Sequence, residues 1–187
     1  MLYKNTTNTE HIITLDNDGK ANITMVDAKA SAGFPSNLNN ENWYKKQPHF
    51  SFHIPELQHN NFTAFEVFGD SMESTLFKGD WVIGHYLENM NLIRNGYVHV
   101  IVSKDGSQVK RLLNRVSERA AIVLISDNDA YHTQQIPIEE IIAVYAVKAK
   151  VSFNLKNINK DLNDDINQLQ YQILDMQQEI KTIKKKI

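Results

Sequence analysis

The feature that most constrains the fold is a series of short apolar runs between residues 62 and 153, rich in β-branched and aromatic side chains. Turn residues separate these runs, as at Gly79-Asp80 and Asn95-Gly96. The segment "KDGS" lies between "YVHVIVS" and "QVKRLL" and predicts a β-hairpin. Because strands do not alternate here with long helices, we expect a mainly β, mostly antiparallel domain over 62–153.

Two regions of different composition precede this domain. Residues 1–25 are rich in Asn and Thr and predict a flexible N-terminal arm that holds one short strand at most. Residues 26–61 follow as a linker, and the part from Val26 to about Phe52 has the composition of a loop, punctuated by Gly33 and Pro35.

The C-terminal region, 154–187, carries an apolar stripe with steps of three and four residues. Polar residues fill almost every other position, so an isolated helix of this composition would be marginal in water. The pattern therefore predicts a coiled-coil helix that pairs through 155–187 with a second copy or another protein. The alternative is that the stripe packs back on its own domain. The stripe consists of Leu155, Ile158, Leu162, Ile166, Leu169, Ile173, Met176, Ile180, Ile183 and Ile187.

Composition excludes several classes of function. The formal net charge is −2, which gives no overall attraction to nucleic acid. The chain has no cysteine, which excludes disulfides, thiolate catalysis and cysteine metal sites and fits a reducing cytoplasm. No apolar run approaches the roughly 20 residues of a membrane span, and no motif predicts a metal or cofactor. We therefore expect a cytoplasmic protein without a membrane anchor or cofactor.

Ser71, in "GDSM", is a candidate nucleophile that needs a positioned base. The chain has seven histidines, but none lies in a motif with an acidic partner. A buried lysine can also act as the base, because desolvation lowers its pKa. Lys110 in "SQVKRLL" lies on a predicted apolar strand, on the same face as Leu112. Its rival, Lys78 in "FKGD", lies in a predicted turn and should be exposed.

Three segments in order resemble the LexA/UmuD family of self-cleaving serine–lysine peptidases, which share a catalytic fold with signal peptidases. These segments are "GDSMESTLFKGDWVI", "VKRLL" with its lysine 39 residues after the serine, and "LISDNDAY". The resemblance covers about Ala28 to Val151 and implies a LexA/signal-peptidase-like β-domain. It further implies that Ser71 attacks a peptide bond of its own chain and that Lys110 is the general base.

The resemblance also implies a scissile Ala-Gly or Cys-Gly bond some 35 residues before the serine. The segment "KASAGFPS" supplies Ala32-Gly33, with Gly33 38 residues before Ser71. The structural alternative is that this segment is only a surface turn. We expect the backbone N–H groups of Ser71 and Asp70 to bind the oxyanion that forms during attack.

The function implied is a self-processing regulator of a stress response or a phage-like switch, with a RecA–single-strand DNA filament as activator. Ser74 stands where many members have a proline. A DNA-binding domain is not expected in this chain, which is closer to the UmuD layout, although the long tail is not part of that pattern. Two alternatives remain: a non-cleaving, dimerising effector module of a repressor, and a signal-peptidase-like enzyme acting on other chains. The missing membrane anchor counts against the second alternative.

Overall fold

The computed structural model describes residues 12–15, 19, 21–51, 57, 62–154 and 158–184. The chain divides into two compact units, Met1–Asn154 and Leu155–Ile187. Within the described residues, no helix is both long and apolar enough to cross a membrane.

The first unit is built on one sheet, and its described strands number nine. Their order across the sheet is β2-β1-β3-β4-β9-β5-β6-β7-β8. All neighbouring pairs are antiparallel except β1 and β3, which run parallel. The prediction of a mainly β, mostly antiparallel domain is confirmed. The strands are β1 (Ile23–Val26), β2 (His49–Phe50), β3 (Phe62–Glu66), β4 (Trp81–Tyr86), β5 (Val98–Ser103), β6 (Gly106–Arg115), β7 (Ala121–Ile125), β8 (Gln134–Pro137) and β9 (Ile141–Val151).

The expectation that Val26 to Phe52 is a loop was wrong. This segment contains the end of β1, two helices and β2. The helices are α1 (Ala28–Asn37) and α2 (Glu41–Tyr44). Within residues 62–154, the structure also contains α3 (Val116–Arg119) and two short 3-10 helices, Met90–Leu92 and Ile138–Glu140.

Helix α1 forms although its sequence is a poor helix former. Gly33 and Pro35 lie inside it, and both disfavour a helix interior. The side chain of Asp27 caps its first turn by accepting a hydrogen bond from the Ala30 N–H at 2.7 Å. Phe34 is completely buried in the core. Burial of this ring, at about 2 kcal/mol, offsets part of the unfavourable helix propensity of Gly33 and Pro35.

The sheet packs on both of its faces, and β5 shows how. Val100 and Val102 belong to the cluster that includes Phe34 of α1 and Tyr145 of β9. Ile101, between them, belongs to a second cluster. Because successive side chains of a strand point to opposite faces, a continuous apolar run here serves two cores at once.

The second unit contains α4, Ile158–Lys184, as predicted for the C-terminal region. The apolar side chains of its stripe between residues 166 and 180 are about half exposed within this chain. The helix is therefore present, and its pairing as a coiled coil stays a prediction.

Gly84 of β4 offers a test of how tightly β4 packs against β9. A Cβ atom at this position would lie 2.8 Å from Cβ of Tyr145, which is completely buried. We expect Gly84→Ala to lower the free energy of unfolding by roughly 1–3 kcal/mol, because neither strand can move without disturbing the core. Urea denaturation measures the change. The matched control is Gly69→Ala, since no heavy atom lies within 4 Å of that added methyl group. Equal losses in both variants would contradict the packing described.

Candidate active site

Ser71 lies in the loop between β3 and β4, which the core holds at two points. Met72 and Leu76 are almost completely buried, and the Leu76 N–H donates to the Met72 carbonyl at 2.8 Å. At the far end of the loop, the buried carboxylate of Asp80 accepts a hydrogen bond from the Phe77 N–H at 2.9 Å. The loop is therefore anchored at two places that follow the serine in the chain, and the serine is itself half-buried.

Lys110 lies on β6, between β5 and β7. It pairs with His99 of β5, and its side chain is 7% exposed. The β6–β7 register pairs Arg111 with Ile125, and continuing it by one residue places Ser126 opposite Lys110. Lys110 Nζ donates a hydrogen bond to Ser126 Oγ at 2.8 Å. The amine is therefore held on a rigid strand and directed by a hydroxyl group.

Burial controls the protonation of Lys110. Removal of the amine from water lowers its pKa, and the nearby Asp70 carboxylate offsets part of that effect. The hydrogen bond from the Tyr131 hydroxyl lowers the pKa of Asp70, so Asp70 stays ionised. The Tyr131 ring also lies near the amine, with Nζ 5.4 Å from the ring centroid. The net result is that the neutral fraction of Lys110 is larger than that of a free lysine at the same pH.

Ser71 and Lys110 line the same open cleft. Among the described residues lining it there is no histidine, and the rival base Lys78 is exposed in a turn outside it. In the described part of the chain, no hydrogen bond joins Ser71 Oγ to Lys110 Nζ, which is bonded to Ser126 instead. The cleft is lined by 65–72, 107–110, Tyr131 and Gln134.

The segment after β7 fixes the backbone around the serine. The Asn128 N–H donates to the Ser71 carbonyl at 3.1 Å, and Asn128 Nδ2 donates to the Asp70 carbonyl at 3.2 Å. The Tyr131 hydroxyl donates to the Asp70 carboxylate. Asp70 and Ser71, the two residues predicted to form the oxyanion hole, are thus held in place by Asn128 and Tyr131.

An ion pair also links the segment after β7 to β6, the strand that carries Lys110. Arg111 donates to both carboxylate oxygens of Asp127, from Nε at 2.6 Å and from Nη2 at 2.9 Å. Nη2 also donates to Thr75 Oγ1 at 3.3 Å, which extends the contact to the serine loop. A bidentate pair of this kind fixes geometry as well as charge.

Sequence reasoning assigned no role to Ser126, Asn128, Tyr131 or Arg111. Their motifs, "VKRLL" and "LISDNDAY", entered only as parts of a resemblance. The signal that could have identified Ser126 is the pairing of the two strands, because a hydroxyl placed opposite a buried lysine is a natural hydrogen-bond partner.

The predicted scissile bond lies in α1 rather than in a surface turn. Ala32 is exposed and Gly33 is half-buried, and the Gly33 carbonyl accepts a hydrogen bond from Asn37 Nδ2 at 2.8 Å. Neither Ala32 nor Gly33 lines the cleft. The helix is nevertheless next to it, because Ser31 Oγ lies 2.5 Å from Oγ of Ser107, a cleft residue.

A mainly β domain that brings a serine loop and a buried lysine to one cleft is typical of serine–lysine peptidases. The family model described as Peptidase S24-like matches residues 24–147, about two thirds of the chain, and the protein belongs to this family. The resemblance to the LexA/UmuD family is thereby confirmed. No curated protein matches the sequence.

The Arg111–Asp127 pair predicts a dependence of stability on pH. Burial raises the pKa of Asp127, but the hydrogen bonds from Arg111 and Thr75 together have a larger effect. The net result is a pKa below the ordinary value of 3.8. A carboxyl whose pKa is depressed on folding stabilises the protein above its unfolded pKa and loses this contribution as the pH falls through the folded value. We expect Asp127→Asn to reduce the free energy of unfolding at pH 7 by about 1 kcal/mol.

The loss caused by Asp127→Asn should shrink in denaturation experiments as the pH falls below the ordinary Asp value and through the folded pKa of Asp127, because both proteins then lack the charge. Glu118→Gln is the matched control, because Glu118 pairs with Arg115 on the surface and both side chains are well exposed. A pH-independent loss, or an equal loss in the control, would contradict a specific role for the Arg111–Asp127 pair.

Proposed function

We propose that this protein is a self-cleaving serine peptidase, with Ser71 as nucleophile and Lys110 as general base. The observation that carries the proposal is the shared cleft, in which the serine loop adjoins a buried lysine of lowered pKa. The biological role we infer is that of a LexA/UmuD-like cytoplasmic regulator in a stress response or a phage-like switch. Membership of the Peptidase S24-like family supports the class of chemistry.

The first step is proton transfer from Ser71 Oγ to neutral Lys110 Nζ as the oxygen attacks the Ala32 carbonyl carbon. Negative charge develops on the carbonyl oxygen, where the N–H groups of Ser71 and Asp70 would stabilise it. Lys110 then returns the proton to the Gly33 nitrogen as the C–N bond breaks. This leaves an ester between Ala32 and Ser71, which water hydrolyses to regenerate both groups.

Ser126 has a positioning role in this scheme. Its contact with Lys110 keeps the amine on the cleft side of β6, where desolvation favours the neutral form. Proton transfer requires the amine to move from Ser126 to Ser71 by rotation of the lysine side chain. Because the substrate belongs to the same chain, its effective concentration is high, and slow chemistry suffices.

The bond at Ala32-Gly33 can react only after α1 unwinds, because the segment must leave the helix to enter the cleft. The local sequence makes this unwinding inexpensive. Pro35 has no N–H and its ring crowds the carbonyl of Ser31, so the helix is weakest just before the bond. Phe34 opposes unwinding, since it is completely buried among aromatic rings.

An activating partner would act by stabilising the unwound state, since a ligand shifts an equilibrium only through its preference for one state. The RecA–single-strand DNA filament is the activator that the resemblance implies. The second candidate function, a non-cleaving dimerising effector module, is favoured by one observation: α1 is intact, with Phe34 in the core.

Self-cleavage should be measurable without any partner at high pH. At about pH 10 even an unperturbed lysine is substantially neutral. The burial of Lys110 lowers its pKa, so the rate should rise with pH and level off below the ordinary lysine value. Incubation of the purified chain followed by mass spectrometry should reveal two fragments, one ending at Ala32 and the other starting at Gly33.

Ser71→Ala and Lys110→Ala should each abolish the fragments, whereas a contaminating protease would cut all three proteins alike. Absence of cleavage in the wild-type protein, with or without the filament, would favour the effector module. A cut elsewhere that still needs both residues would support Ser71 and Lys110 and refute only the Ala32-Gly33 assignment.

Removal of the cap of α1 should accelerate cleavage. Asp27→Ala deletes the acceptor of the Ala30 N–H, which costs a helix about 1 kcal/mol. That change raises the population of unwound α1 roughly fivefold, and the cleavage rate should increase by a similar factor if unwinding precedes attack. The matched control is Asn89→Ala, which removes the side-chain acceptor of the Asn91 N–H at the start of the 3-10 helix Met90–Leu92. Equal acceleration in both variants would indicate general loosening instead.

A further inference from the structure

Between residues 166 and 180, helix α4 carries an apolar stripe whose described side chains are about half exposed. In the described part of this stripe, Ile166, Leu169, Ile173, Met176 and Ile180 are each between 46% and 58% exposed. A helix of 27 residues whose apolar face remains this open is marginal in water unless a partner covers it.

The spacing of the stripe defines the shape of the partner. From Ile166 onward the apolar residues recur at alternating steps of three and four, which is a heptad pattern with isoleucine at every first position. Leu169 and Met176 occupy the fourth positions of the first two heptads. A seam of this kind accepts one other helix with the same repeat, packed side by side.

The charges of the helix indicate what that second helix is. In the sequence, residues 158–171 contain three Asp and one Lys, a net charge of −2, whereas residues 172–184, up to the end of the helix, contain two Lys, one Asp and one Glu, a net charge of zero. A reversed copy places the acidic half of each helix beside the half without net charge. A parallel copy would instead place the two acidic halves side by side, which is unfavourable.

We propose that α4 pairs with α4 of a second copy of this chain in an antiparallel two-stranded coiled coil. With the acidic half of each helix beside the half of the other that has no net charge, Leu169 packs against Ile180 of the second copy, and Ile173 packs against its Met176. In this register the two helices begin about 50 Å apart, because residue 158 of one copy lies 33 residues along the axis from residue 158 of the other, at about 1.5 Å each. This inference is independent of the peptidase chemistry.

Disulfide cross-linking can test the orientation directly, because the sequence contains no cysteine. Full-length chains carrying Leu169→Cys and Ile180→Cys, made distinguishable by mass, are mixed under reducing conditions and then mildly oxidised. We expect a cross-linked heterodimer from the mixture and little product from either chain alone, because only unlike positions face each other closely enough for a disulfide.

A second pair of cysteine variants is needed because Leu169→Cys and Ile180→Cys each remove an apolar side chain and could weaken the helix pair. Gln170→Cys mixed with Gln177→Cys removes no apolar side chain, and the two positions flank the seam opposite each other in the antiparallel pair. The matched control is a mixture of Gln168→Cys and Lys181→Cys. These two positions lie at the same height along the helix pair as Leu169 and Ile180, but on the outer face of each helix.

Each outcome decides the question. Cross-linking of either seam mixture above the control mixture, with little from single chains, supports the antiparallel pair. Efficient cross-linking of Leu169→Cys with itself would show a parallel pair and overturn the proposal. If neither mixture exceeds the outer-face control, α4 does not form the antiparallel pair and the proposal is wrong.

Discussion

The pairing of β6 with β5 on one side and β7 on the other is the constraint on which the site depends. This register places Lys110 opposite Ser126 and, one residue later on the other face, Arg111 beside Asp127. Consecutive residues of one strand thus supply the buried amine and the ion pair that secures the serine loop. A slip of one residue would exchange the two faces, burying a guanidinium and exposing the amine, so the chemistry tolerates no other register.

A second constraint comes from Phe34, whose ring joins α1 to the sheet. Its contacts with Phe65, Trp43 and Tyr145, at centroid distances of 5.4 to 6.3 Å, stabilise a helix that its own sequence disfavours. The stability of α1 therefore depends on two opposing contributions, the low helix propensity of its sequence and the burial of Phe34. In the proposed function, this balance sets how often the chain presents its own peptide bond to the cleft.

Much of the fold could be predicted from the local sequence pattern. Runs of β-branched residues indicate strands, and Gly-Asp or Asp-Gly pairs indicate the turns between them. The helices between β1 and β2 could not be predicted, since burial of Phe34 is a tertiary effect that opposes the unfavourable helix propensity of Gly33 and Pro35. Lys110 could be singled out because an apolar strand surrounds it. Ser126 and Asn128 could not, because their roles arise from partners 16 and 57 residues away in the chain, Lys110 and Ser71.

The position of β1 gives self-cleavage a consequence beyond the broken bond. This strand precedes Ala32 and lies inside the sheet, between β2 and β3. A cut in α1 would therefore leave a nicked but still assembled protein, with the N-terminal piece retained by main-chain hydrogen bonds. Departure of that piece would remove β1 from the parallel pair and leave one edge of β3 unpaired, while β4 still pairs with the other edge. An exposed sheet edge of this kind can pair with a strand of another chain. Departure of the N-terminal piece would therefore create a binding site for a new partner at β3.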